Sequence, residues 1–351
     1  MNPSPKSVGR RTALALGIGA LGAAIGLLIN MPLALLLGPL ATTLVAALAG
    51  VPVGVPENLR TAILTVLGLF LASKFTPDVL ESARHWPLSA AMVPVYIVVG
   101  GGVAWAYLRR VVRMDRVSAV FAAVPGGLVP MIVIGTAYGG DEGKIATAHA
   151  LRIALAVFVL AFALAGQTNG LRDPVDMLLT GMDADPLELL FVLALAALGN
   201  FAGGRLGLVA PQIFGPVIFV APLYLGGVVA VDIPGPLLGI GLWVMGSALG
   251  SRFQGYKARE IARLSAHMLV TVLLLLLVSA GVALLLNITV GMPFLAALLA
   301  FAPGGLAEMS LIALALHLDP AFVVVHHVLR VGISFLLAPV LGRYFRKPRS
   351  H

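Results

Sequence analysis

Apolar residues along the chain come in long runs, separated by short breaks that are charged or rich in Pro and Gly. Ten of these runs have roughly the length, about 17 to 22 residues, at which a helix crosses a bilayer. They cover residues 13–30, 32–49, 60–75, 88–108, 147–166, 187–204, 209–230, 234–251, 267–286 and 321–341. The pattern predicts an all-α polytopic membrane protein with about ten transmembrane helices.

Two further apolar runs, residues 117–138 and 292–316, are each interrupted in the middle by the same tripeptide. The interruptions are Pro125-Gly126-Gly127 and Pro303-Gly304-Gly305. Because Pro and Gly interrupt helices, each run is predicted to be a broken helix, either a re-entrant hairpin or a kinked span. Non-helical backbone at membrane depth is tolerated only where protein or a water-filled cavity surrounds it, as in the sites of secondary transporters.

The two interrupted runs are part of an internal duplication. The shift along the chain that places the first Pro-Gly-Gly on the second also places His149 and Arg152 on His327 and Arg330. A shift shorter by a single position aligns two Gly-Pro pairs upstream. Identities of this kind are rare by chance in an apolar chain, and they predict a duplication. The predicted organisation is a first repeat in 1–170, a polar linker in 171–186 and a second repeat in 187–351.

Basic residues between the runs indicate how each repeat faces the membrane. The first repeat has its basic loop after the fourth run, at 109–116, whereas the second has it after the run equivalent to the third, at 252–263. Because basic loops lie in the cytoplasm, the repeats are predicted to be inverted. If the first broken run enters and leaves on one side, both basic loops and both termini are cytoplasmic. The expected location is the bacterial inner membrane.

Composition narrows the classes of function. Apolar residues make up 60% of the chain and charged residues 11%, and the mean hydropathy is +1.02. Since globular domains are about a quarter charged, no soluble domain of useful size is expected. The formal net charge of +8 comes from short clusters beside apolar runs, so direct nucleic-acid binding is not predicted. With no cysteine, the chain lacks disulfides, thiolate metal sites and cysteine nucleophiles.

A His-x-x-Arg motif follows each Pro-Gly-Gly, and its two side chains share one helix face. Arg152 is expected about six residues into its run, roughly 9 Å deep, near the depth of the first Gly-Gly turn. A buried charge indicates a functional site, and glycine-rich turns expose N–H groups that favour an anion. Glu308, whose counterpart is Pro130, is a candidate proton or cation ligand.

The predicted solute site comprises Pro125, Gly126, Gly127, His149, Arg152, Pro303, Gly304, Gly305, Glu308, His327 and Arg330. The structural alternative is that each arginine binds buried carbonyl groups or pairs with a carboxylate. His85, His267, His317 and His326 are expected to be solvated or interfacial, and Trp86 to be an interface anchor. No converging set of metal ligands and no nucleophile–base–acid set is visible, so no metal, cofactor or enzymatic activity is predicted.

The sequences VPGGLVPM with HALR and APGGLAEMS with HVLR resemble the duplicated module of the bacterial AbrB membrane-protein family. The resemblance extends from about Thr12 to Arg346, and it does not include the DNA-binding regulators of the same name. Members of that family are labelled ammonia monooxygenases or regulators of gene expression, and some are treated as transporters. The resemblance therefore implies a membrane protein with one of these functions.

Three functions follow as hypotheses. A secondary transporter of a small solute, with an anion as the favoured class and a coupling ion as partner, explains the inverted repeat, the broken helices and the buried arginines together. A membrane regulator of gene expression that acts through a partner predicts no solute flux. A membrane monooxygenase requires bound metal. A homo-oligomer in the bilayer is compatible with each.

Overall fold

The computed structural model describes residues 5–167, 178–208, 210–316 and 318–345, in which the chain forms fifteen α-helices and no strand. The helices are α1 Pro5–Leu28, α2 Ala34–Leu48, α3 Glu57–Ala72, α4 Pro77–Ala83, α5 Pro87–Arg110, α6 Arg116–Ala123, α7 Leu128–Ala137, α8 Glu142–Leu164, α9 Pro186–Arg205, α10 Pro211–Leu225, α11 Gly235–Ser251, α12 Ala258–Val290, α13 Phe294–Phe301, α14 Leu306–Ala315 and α15 Pro320–Phe345. Part of the predicted linker and His317 lie outside the described residues.

Six helices, α1, α5, α8, α9, α12 and α15, are long and apolar enough to cross a membrane. The protein is therefore a multi-pass helical membrane protein. Each of the ten predicted runs coincides with a helix, but α2, α3, α10 and α11 have only 15 to 17 residues. Helices of that length extend about 22 to 26 Å, less than the roughly 30 Å of a bilayer core. The count of ten spanning helices therefore stays a prediction.

The helices form two compact units, and each unit takes helices from both halves of the chain. The first unit, within residues 1–81 and 158–261, contains α1 to α3 and α9 to α11. The second unit, within residues 82–157 and 262–345, contains α5 to α7, α13 to α15 and most of α8 and α12. Every residue of the predicted solute site lies in the second unit.

Close helix crossings through glycine hold the first unit together. A Cβ atom on Gly38 of α2 would lie 2.2 Å from the carbonyl oxygen of Gly22 in α1. A Cβ atom on Gly215 of α10 would lie equally close, at 2.2 Å, to the carbonyl oxygen of Gly199 in α9. Since any side chain would collide with backbone, only glycine allows these two helix pairs to approach so closely.

Aspartate side chains fix where three helices of the second unit begin. Asp115 accepts a hydrogen bond from the N–H of Ser118 at the start of α6, over 2.8 Å. Asp141 and Asp319 accept N–H groups in the first turns of α8 and α15 in the same way. Each carboxylate satisfies donors that a helix leaves unpaired at its N-terminus. Burial raises the pKa of the Asp319 carboxyl, and the N–H groups of α15 oppose that shift.

The first interrupted run is a helical hairpin, because α7 folds back along α6. A Cβ atom on Gly135 in α7 would lie 3.0 Å from Cγ of Phe121 in α6. The N–H of Asp141, just after α7, donates to the hydroxyl of Ser118 near the start of α6, over 2.8 Å. In a continuous helix Phe121 and Gly135 would be about 20 Å apart, so a kinked span is excluded here. Helices α13 and α14 of the second interrupted run also pack against each other.

Candidate functional site

Each Pro-Gly-Gly lies in a four-residue break between two short helices. The first break separates α6 from α7, and the second separates α13 from α14. Val124 and Ala302, the first residues of the two breaks, are both out of helical geometry, with ψ angles of 126° and 145°. The last carbonyl groups of α6 and α13 therefore lack partners within their own helices. A buried break needs other donors to satisfy them.

In the first break the donors come from the His-x-x-Arg motif of α8. Arg152, which is only 3% exposed, donates through Nη1 to the carbonyl oxygens of Ala122 and Val124, over 3.3 and 3.1 Å. His149 donates through Nε2 to the carbonyl oxygen of Phe121 over 2.8 Å. The two side chains also contact each other, since Nη2 of Arg152 lies 2.9 Å from Nδ1 of His149. The motif thus ties the middle of α8 to the end of α6.

The carbonyl groups of the second break receive hydrogen bonds in the same manner from the His-x-x-Arg motif of α15. Arg330, which is 5% exposed, donates to the carbonyl oxygens of Ala302 and Gly304, the latter over 3.1 Å. Nε2 of His327 donates to the carbonyl oxygen of Leu299 over 3.0 Å, and its Nδ1 accepts from Arg330 over 3.1 Å. The carbonyl groups of Leu299 and Ala302 are related to those of Phe121 and Val124 by the same shift that relates the two motifs.

These contacts determine the protonation of both histidines. A carbonyl oxygen only accepts and a guanidinium only donates, so Nε2 carries the hydrogen and Nδ1 carries the lone pair. His149 and His327 are therefore neutral, and both nitrogens of each ring are occupied. Neither ring nitrogen is available to bind a metal or a solute in this arrangement. In the described part of the chain, no group of three or more His, Asp or Glu side chains is placed to hold a metal ion.

Both arginines lie in the middle of their helices. Helix α8 begins at Glu142, five residues before the predicted start of the run, because Asp141 provides its N-cap. Arg152 is therefore ten residues, or about 15 Å, from the start of its helix. Its expected depth of about 9 Å in the membrane stays a prediction. Arg330 is also ten residues from the start of α15. Both guanidinium groups belong to the middle of a long apolar helix.

Two N–H groups of each guanidinium remain unused after it has bound the carbonyl groups of its break and the histidine ring. Of five N–H groups, three are used by the contacts above, which leaves two, including Nε–H. Nε of Arg152 and Nε of Arg330 are buried and have no hydrogen-bond partner. Within the described ranges, neither arginine forms an ion pair with a carboxylate. Both positive charges are therefore buried with no carboxylate at ion-pair distance among the described residues.

The two breaks differ in their surroundings. Glu308, in the first turn of α14, is buried and its carboxylate folds back over Gly305, where a Cβ atom would lie 2.1 Å from Oε2. In the first break, Pro130 takes the place of Glu308, and no acidic residue lies in the first turn of α7. Gly126 lies instead against α15, where a Cβ atom would be 3.0 Å from Cβ of Ser334.

Two further side chains of the second unit, His326 and Trp86, are buried. His326 is fully buried, with Nδ1 at 2.7 Å from the carbonyl oxygen of Phe322 and Nε2 at 2.9 Å from the hydroxyl of Ser89. Trp86 is also buried, with its ring 5.4 Å from that of Phe322. The expectations that His326 is solvated or interfacial and that Trp86 is an interface anchor were wrong. Their partners come from distant parts of the chain, so no local pattern indicates them.

Comparison with known proteins agrees with the duplicated motif. The family model described as "Transition state regulatory protein AbrB" matches residues 35–346, which include both breaks and both His-x-x-Arg motifs. The chain belongs to the AbrB family. The resemblance inferred from the motifs is thereby confirmed.

Two known proteins are similar to this chain over most of its length. The chain is 25% identical over 319 residues to the protein named "Putative regulator AbrB" of Escherichia coli (strain K12), covering 91% of each chain. It is 25% identical over 296 residues to "Uncharacterized protein YhjN" of Bacillus subtilis (strain 168), covering 79% of this chain and 76% of the relative. The likeness extends over nearly the full membrane protein.

Proposed function

We propose that this AbrB-family protein is a secondary transporter of a small anionic solute that works by alternating access. The observation that carries the proposal is the pair of buried guanidinium groups, Arg152 and Arg330, that lack an acidic partner among the described residues. Leaving an ionised group unpaired at membrane depth costs on the order of several kcal/mol, so such a group is retained for a function. A small anion that binds both charges would offset this cost.

The predicted inverted repeat favours the same function. Under the shift that relates the two motifs, α6 and α7 begin and end at the positions of α13 and α14, and α8 begins at the position of α15. Helix α7 folds back along α6, so a hairpin of this kind enters and leaves the membrane on one side. With that topology, both basic loops and both termini are expected in the cytoplasm, at the inner membrane. Inverted repeats with broken helices at the site are a common plan of secondary transporters.

In this proposal the predicted site residues divide into two roles. The carbonyl groups of the breaks and the rings of His149 and His327 position the guanidinium groups, and the remaining donors of Arg152 and Arg330 bind the solute. Glu308 is the only acidic residue among the predicted site residues, and it is the candidate for a coupling proton or cation. The proline and glycine residues interrupt the helices, which leaves carbonyl groups at each break for the arginines to bind. These carbonyl groups belong to Ala122, Val124, Ala302 and Gly304.

The proposal is tested by measuring the unfolding temperature of the purified protein in the presence of different small solutes. We expect at least one inorganic or carboxylate anion to raise the unfolding temperature in a saturable way, because a ligand of the native state stabilises it. Matched cations and neutral analogues should have no effect. A panel in which no anion stabilises the wild-type protein, or in which Arg330→Gln responds equally, would contradict an arginine-based anion site.

The relatives' names favour a second candidate, a membrane regulator that acts through a partner. A regulator of this kind alters gene expression in cells but gives no solute flux in vesicles, whereas a transporter gives flux without any partner. A monooxygenase would instead bring a stoichiometric metal through purification. Elemental analysis and vesicle flux therefore separate the three hypotheses.

A further inference from the structure

Several buried polar atoms of the second unit take no part in the hydrogen bonds between the His-x-x-Arg motifs and the two breaks. Among the described residues of this unit, five buried side-chain atoms have no hydrogen-bond partner. Nε1 of Trp105 is one, and the other four form one group: Oη of Tyr96, Nε of Arg152, Nε of Arg330 and Oγ of Ser334. Tyr96 and Ser334 are both fully buried. Buried polar groups are normally paired, so a cluster of unpaired ones needs an explanation.

The backbone brings these residues to one place. Arg152 binds the carbonyl oxygen of Val124, two residues before Gly126, and Gly126 lies against Ser334. Ser334 is one helical turn from Arg330 on α15, so the two side chains share one face. Helix α5, which carries Tyr96, packs on α15, and the charges of both arginines act on Tyr96.

The side chain of Ser279 lies beside the hydroxyl of Tyr96 but does not satisfy it. Ser279 is hydrogen-bonded to the carbonyl oxygens of Leu275 and Phe301, both over 2.9 Å. Because a hydroxyl has a single hydrogen to donate, Ser279 has none left for Tyr96. A hydrogen bond between the two would have to run from Tyr96 to Ser279, and by distance and angle Oη of Tyr96 forms none among the described residues.

The donors in this group define the chemistry of a ligand. Each guanidinium retains two N–H groups, and the two hydroxyl groups add further donors, whereas nearby carbonyl oxygens of the breaks are already occupied. A ligand that satisfies this set must accept hydrogen bonds at several atoms. Two unmatched positive charges favour two negative charges on the ligand. A zwitterion or a cation would add a positive charge where two already repel each other.

We propose that Tyr96 and Ser334 complete, with Arg152 and Arg330, a single binding site for a doubly charged oxyanion. This inference rests on the proposed function in so far as the oxyanion is the transported solute. Dicarboxylates and inorganic oxyanions share the required chemistry. Succinate and malonate are test ligands for the dicarboxylates, and sulfate and hydrogen phosphate are test ligands for the inorganic oxyanions.

Isothermal titration of the purified full-length protein with these four anions tests the site, with acetate, nitrate and alanine as comparison probes. We expect at least one dianion to bind, more tightly than any monoanion, and we expect Tyr96→Phe and Ser334→Ala each to weaken that binding about tenfold or more. Removing an unpaired hydroxyl should leave the unfolding temperature of the free protein unchanged or raise it.

Two control variants remove hydroxyl groups that have partners in the first unit. Tyr224→Phe loses a hydrogen bond to the carbonyl oxygen of Val231, and Ser247→Ala loses one to that of Trp243. Both should lower or preserve stability and leave the dissociation constant unchanged. Binding of no dianion, or equal binding by Tyr96→Phe and Ser334→Ala, would overturn the inference. Dianion binding without flux would leave this site standing and overturn the transport proposal instead.

Discussion

The guanidinium of Arg152 donates a hydrogen bond to the carbonyl oxygen of Val124 over 3.1 Å, and so joins the middle of α8 to the break between α6 and α7. Arg330 makes the equivalent contact to Ala302 in the second break. A buried arginine in a membrane protein is usually considered either structural or ligand-binding. Here one guanidinium has donors for both roles, because three hold the backbone and the histidine ring and two remain.

This double role predicts that Arg152→Gln damages folding as well as binding. The change leaves the carbonyl oxygens of Ala122 and Val124 and the ring of His149 without their donor. We expect a loss of about 1 to 3 kcal/mol in the free energy of unfolding, because removal of the unpaired charge offsets part of the cost of the lost hydrogen bonds, together with loss of the anion response. Thermal unfolding in detergent measures the effect, with Arg110→Gln at the exposed end of α5 as control. Wild-type stability in Arg152→Gln would show that the carbonyl contacts contribute little.

The glycine crossing of the first unit predicts a steric effect independent of the site. Gly38→Ala places a methyl group 2.2 Å from the carbonyl oxygen of Gly22, so α1 and α2 must separate. We expect destabilisation of about 1 to 3 kcal/mol or more, as for other overpacked sites. Gly17→Ala on α1 is the matched control, since no atom lies within 4 Å of its added methyl group. Equal unfolding temperatures for the two variants would argue against close packing at this crossing.

The predicted inversion of the two repeats implies opposite accessibility for equivalent positions. Asp141 and Asp319 cap α8 and α15, and the shift that relates the two motifs also relates these two residues. A single cysteine at Asp141 should react with an impermeant maleimide from the cytoplasm, and one at Asp319 from outside. The parent chain has no cysteine, so background labelling is absent. Labelling of both positions from the same side would replace the inverted model by a parallel one.

Glu308 is expected to couple the solute to a proton or cation. The substitution Glu308→Gln keeps a side chain of nearly the same volume beside Gly305, but it removes the carboxylate that carries the charge or the proton. In proteoliposomes we expect exchange of solute across the membrane to persist, while uptake driven by an ion gradient is lost. Pro130→Ala at the equivalent position of the first break is the control. Gradient-driven uptake at the wild-type rate in Glu308→Gln would exclude this carboxylate as the coupling group.

Much of the helical framework could be predicted from the sequence, because apolar runs and Pro-Gly-Gly breaks act locally. The breaks after Ala123 and Phe301 lie where Pro125 and Pro303 indicate. The partners of His149 and Arg152 could not be predicted, since the carbonyl groups they bind belong to the end of α6 and the break after it, far earlier in the chain. The unpaired hydroxyl of Tyr96 is visible only when α5, α8 and α15 are assembled.

Transport is tested most directly by following labelled anion into proteoliposomes that contain the purified protein as their only protein. We expect saturable uptake or exchange of at least one small anion, inhibited by excess of the same unlabelled anion. Uptake should fall to the level of empty liposomes for Arg330→Gln and stay near wild type for Gly17→Ala. Correctly folded wild-type protein that moves no anion of the panel, under an ion gradient or in exchange, would contradict secondary transport of an anion.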